Sequence, residues 1–110
     1  MTVTHTVLFQ FKPGASAADV NAACARFLSL KSTCLHPTHK TAYIKSLKGG
    51  KDNSLEGLQG GITHGFVVEF DSLEDRDYYV NEDPSHKAFV ASIGGLIDKA
   101  VVVDFSDGEF

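Results

Sequence analysis

Four side chains in this chain are suited to moving protons: His5, His64, His86 and Tyr79. Imidazole titrates near neutrality, so each histidine can serve as donor or acceptor at working pH. His86 lies in "DYYVNEDPSHKAF", and Phe89, Val90 and Ile93 follow it at helical spacing, which places it on an apolar, inward face. His5 alternates with Val3, Val7, Phe9 and Phe11, and His64 with Ile62, Phe66, Val68 and Phe70. Burying a polar ring without a partner costs roughly 1–3 kcal/mol. One such histidine is more often a satisfied core residue than a catalyst. Three on inward faces point to a shared pocket that uses imidazole chemistry. Phe9, Phe66 and Phe89 share these faces, so the expected ligand is small, flat and partly apolar.

The elements that must position these groups are short. Residues 3–12 alternate as a strand with one well-buried face. Ser16 and Asp19 cap a helix that runs to about Thr33, with Val20, Ala23, Cys24, Phe27 and Leu30 on its apolar side. "TAYIKSLK", about 41–48, reads as a second strand. The glycine-rich "GGKDNSLEGLQGG" reads as a surface loop that edges the pocket. Residues 62–70 alternate again as a third strand. Ser72 and Asp75 cap a short helix to Tyr79 or Val80. Asp83 as N-cap and Pro84 as first helical residue open another, ending near Gly94-Gly95. "KAVVVDF", about 99–105, is the last strand. This order predicts an α+β ferredoxin-like sandwich in one domain, 1–110, with helices on one sheet face. The other face mixes Leu8 and Val67 with Thr4, Thr6, Gln10 and Glu69, which suits a homodimer interface.

The chain has 110 residues, 43% hydrophobic and 22% charged, with a formal net charge of -4. A mildly acidic chain without a basic cluster argues against nucleic acid or an anionic membrane as partner. No apolar run is long enough to span a bilayer, and the alternating start does not read as a signal peptide, so a cytoplasmic location is expected. Cys24 reads as a small buried hydrophobe, and no disulfide with Cys34 is expected.

"HTVLFQFK", "THGFVVEFDS" and "DYYVNEDPSHKAF" together resemble the stress-responsive A/B barrel (Dabb) family of dimeric α/β barrels, in wording close to its fungal members. The resemblance covers nearly the whole chain, and "PSHKAF" with a tyrosine upstream is its most specific part. It implies a ferredoxin-like protomer and a homodimer whose two sheets face each other as a barrel. Some plant members are stress-induced stable proteins without a known reaction. One plant member is a polyketide cyclase that closes its substrate by aldol condensation. On that pattern His86 matches the base and Tyr79 the assisting tyrosine, while His5 and His64 match pocket histidines. Neutral His86 would remove a proton alpha to a carbonyl. Tyr79 would hydrogen-bond the enolate oxygen or orient His86, with no metal or redox cofactor required. The chain departs from the cyclase at Asp83, where the cyclase has histidine, and carries one more residue between Tyr79 and His86.

Two other functional readings stand beside this one: a noncatalytic stable stress protein, and a haem or oxygen-dependent monooxygenase of the wider barrel superfamily. A metal site would use His5, His64 and His86, but no carboxylate or cysteine at ligand spacing supports it. His36 and His39 read as solvated turn residues, and "SLEDRD" as a solvated helix start.

Overall fold

The computed structural model describes residues 2–110. The chain runs β1 (Val3–Phe11), α1 (Ala17–Thr33), β2 (Ile44–Lys51), β3 (His64–Phe70), α2 (Leu73–Asn81), α3 (Pro84–Ile93) and β4 (Ile97–Phe105). The strands form one antiparallel sheet in the order β2-β3-β1-β4. This is the α+β ferredoxin-like arrangement expected from the element order. Each helix starts on a side-chain cap. Ser16 accepts from the Asp19 N–H, Ser72 from the Asp75 N–H, and Asp83 from the Ser85 and His86 N–H groups.

Strict alternation in β1 drives Val3, His5, Val7, Phe9 and Phe11 into the interior. Phe27 of α1 packs flat on Phe66 at 4.3 Å and also touches Phe89 at 4.8 Å. This aromatic contact ties α1, β3 and α3 into one core. The opposite sheet face carries Thr4, Thr6 and Leu8 paired across from Phe105, Val103 and Val101. No helix covers that face, and Val103 and Phe105 are about half exposed.

The bounds of β2, β3 and β4 differ from the expected ones. β2 begins and ends three residues later than the 41–48 reading and includes Gly49 and Gly50. Gly49 pairs with Phe66 in the strand, and glycine is required there because a Cβ would lie 2.1 Å from the Phe66 ring. β3 starts at His64 instead of residue 62, and β4 at Ile97 instead of 99. Cys34 is the fully buried cysteine, whereas Cys24 is only partly buried, and both are free. Among the described residues no helix is long and apolar enough to cross a membrane.

Candidate functional site

A cavity of about 660 Å³ opens between the β1–β4 half of the sheet and helices α2 and α3. His5, Tyr79, His86, Phe9 and Phe89 line it. His64 and Phe66 do not. Phe66 is spent in the core against Phe27. His64 belongs to the other end of the sheet, so the three histidines do not converge. The register explains this. His5 lies opposite Val68, and His64 lies opposite Phe9, four residues away along the strands. At the usual strand rise that separation is about 13 Å. His64 packs edge-on to Phe11 at 4.9 Å, bonds the Thr63 hydroxyl at 2.9 Å and lines a second cavity with Lys51 and Gln59. The glycine-rich loop edges that second cavity and not the first.

The polar end of the large cavity is built by strand register. His5 and Asp104 are direct partners across β1 and β4, so their side chains leave the same face. His5 Nδ1 meets Asp104 Oδ1 at 2.6 Å. With Nδ1–H donated to the carboxylate, Nε2 is the nitrogen left to accept. Asp104 Oδ2 accepts from Arg76 Nη1 at 2.9 Å, and Arg76 Nε donates to Asp77 Oδ1 at 2.8 Å. Hydrogen bonds to Asp77 and Asp104 hold the guanidinium above its ordinary value. "SLEDRD" is therefore not wholly a solvated face: Arg76 and Asp77 line the cavity.

Tyr79 and His86 form the inner wall. Tyr79 lies in the last turn of α2 and is fully buried, and its ring lies on the His86 ring at 4.0 Å and 29°. The two are stacked, so the Tyr79 hydroxyl does not orient His86 through a hydrogen bond. Tyr79 Oη and His86 Nδ1 are both buried, and neither has a partner among the described residues. Burial lowers the His86 pKa, nearby His5 adds to the lowering, and the Tyr79 backbone and Asp83 oppose it. His86 is therefore held neutral. Burial also drives the Tyr79 hydroxyl up, so it stays a donor.

Asp83 sets the start of α3 and thus the height of His86. Its Oδ1 accepts from the Ser85 and His86 N–H groups at 2.8 and 3.3 Å. Its Oδ2 accepts from the Tyr43 hydroxyl at 2.6 Å. Burial, with Asp83 alongside, pushes the Cys34 thiol up to about 12, which leaves it unreactive near neutrality.

The lowered histidines set a pH dependence. Burial puts both His86 and His64 below 6.5 in the folded chain. The unfolded chain then binds more protons as pH falls, so this stability is complete above 6.5 and declines below it. Urea unfolding midpoints should fall on acidification through that range. A midpoint independent of pH there would contradict the burial of these rings.

Sequence reasoning missed Asp104, Arg76 and Tyr43. The sequence signal for Asp104 is misleading: its parity holds Asp98, Ala100 and Val102, the less apolar face of β4, and only pairing with His5 turns it inward. Tyr43 gave none, since its contact spans forty residues of chain.

Residues 3–107 match the family model described as the Stress responsive A/B Barrel Domain. The chain is 31% identical over 103 residues to the stress-response A/B barrel domain-containing protein HS1 of Arabidopsis thaliana, covering 94% of this chain and 87% of that protein. A solved Arabidopsis thaliana structure superposes with a TM-score of 0.82 at 30% identity, covering 98% of this chain and 97% of that one. The hydroxynitrile lyase from Passiflora edulis shares the fold with a TM-score of 0.83 at 21% identity, over 99% of this chain and 96% of that one. A dimeric ferredoxin-like protein from Thermobifida fusca does so with a TM-score of 0.76 at 22% identity, over 96% and 91%.

Proposed function

Because the chain belongs to the stress-responsive A/B barrel family, we propose that it is a homodimeric small-molecule-binding protein whose large cavity performs cofactor-free acid–base chemistry on a carbonyl compound. The carrying observation is the pair of buried, unpartnered polar atoms, Tyr79 Oη and His86 Nδ1, beside a cavity whose wall away from its His5–Asp104–Arg76 end is largely apolar. Each unpartnered group costs roughly 1–3 kcal/mol, and a ligand recovers that cost once a small side-chain movement opens these atoms to the cavity. The uncovered sheet face with Val101, Val103 and Phe105 is the proposed dimer contact. The description of fold neighbours as dimeric supports it.

The chemistry follows from the protonation states. Neutral His86 takes a proton from the carbon next to a carbonyl. Negative charge moves to the carbonyl oxygen, and the Tyr79 hydroxyl donates to it as that charge develops. In an aldol closure the resulting carbon attacks a second carbonyl carbon, and the proton held on His86 passes to that second oxygen. An aldol addition, or its reverse, needs no more than this. His5, held by Asp104, offers a second imidazole facing the same space. The fold also serves a hydroxynitrile lyase, a likeness of fold alone. A noncatalytic, stable dimer is the second reading, and it is favoured at His5, whose Nδ1 is already satisfied within the protein.

The test is a histidine ring-proton NMR titration with acetophenone, a flat neutral ketone. The reading predicts that His86 and His5 resonances move together and saturate, while those of His36 and His39, outside the cavity, do not. A His86 resonance that ignores this ligand and a panel of related phenols and ketones defeats it.

A further inference from the structure

The charges around the cavity narrow the ligand further. This inference rests on the ligand-binding reading above. Arg76 is the only permanently cationic side chain lining the cavity among the described residues. It is already bonded on two nitrogens, to Asp77 through Nε and to Asp104 through Nη1. Asp104 holds it from the inner side and Asp77 from the more exposed rim. His5 Nδ1 is itself held on Asp104. No lysine reaches the space, and the remaining wall is dominated by side chains such as Phe9, Phe89, Ile93 and Val102.

We infer that the cavity selects uncharged carbonyl or hydroxyl compounds and rejects carboxylates. A carboxylate entering would lose its water, meet the Asp104 and Asp77 carboxylates and find the one guanidinium already paired with both. A neutral ketone loses little water and finds a hydroxyl donor at Tyr79 and an imidazole at His86. The apolar wall then favours an aryl or alkyl body. On this account a free acid would be a poor ligand even where its neutral ketone is a good one.

A matched pair decides the matter: acetophenone and benzoate, of similar size and flatness, titrated separately into the wild-type protein at low salt. The His86 ring proton reports binding. Acetophenone is expected to bind at least about tenfold more tightly. Asp77→Asn removes one of the two carboxylates without touching the inner wall, and it should narrow that gap severalfold. Benzoate binding as well as or better than acetophenone overturns the charge selection and leaves the ligand-binding reading standing. A gap unaltered in Asp77→Asn overturns its assignment to these charges. Failure of both ligands to move His86 overturns the selection and the binding reading together.

Discussion

Asp83→Ala is expected to lower the unfolding free energy by about 2–4 kcal/mol. Two losses combine. The first is the helix cap: Oδ1 accepts from the Ser85 and His86 N–H groups, and removing such a cap typically costs about 1 kcal/mol. The second is the Tyr43 hydroxyl, which loses its 2.6 Å partner and stays buried, at roughly 1–3 kcal/mol. Asp83→Asn separates the terms. Its side-chain oxygen still caps, and its amide can donate to Tyr43, so its cost should be under about half of the alanine effect. Urea unfolding of the three proteins measures this. A loss in Asp83→Ala below about 1 kcal/mol would mean that Asp83 does not anchor the helix that carries His86.

Much of the fold is legible in the sequence because alternation and capping are local. Val3 to Phe11 reads as a half-buried strand, and the chain has no other way to bury His5 with Val7 and Phe9. Ser16, Ser72 and Asp83 mark helix starts that the structure bears out to the residue. Gly49 misleads because glycine signals a loop locally, whereas here it makes room for Phe66 on a neighbouring strand. The site is only half legible. Inward faces can be assigned from periodicity, but position along a face cannot. His64 and His5 both point to the helix side, and register alone sets them four residues apart. Val90 reads as inward yet sits half exposed at the cavity mouth, because α3 presents its edge there. Arg76 reads as a solvent charge until Asp104 is seen to stand beside it.

Tyr79→Phe should stabilise the protein and weaken ligand binding at once. The hydroxyl is buried and unpartnered, so deleting it removes a desolvated group and no bond. The expected gain is about 1 kcal/mol, or a few degrees in Tm. The same deletion removes the donor for a ligand oxygen, which should weaken acetophenone binding by roughly tenfold. A side chain that costs stability and serves a ligand is the signature of a functional site. Thermal unfolding of Tyr79→Phe beside the wild-type protein, each with and without acetophenone, reads both effects in one experiment. The account predicts a higher Tm for the variant alone and a smaller ligand-induced rise. A lower Tm for the variant, with the ligand-induced rise unchanged or absent in both proteins, would show that the hydroxyl serves the fold and would contradict the proposed site.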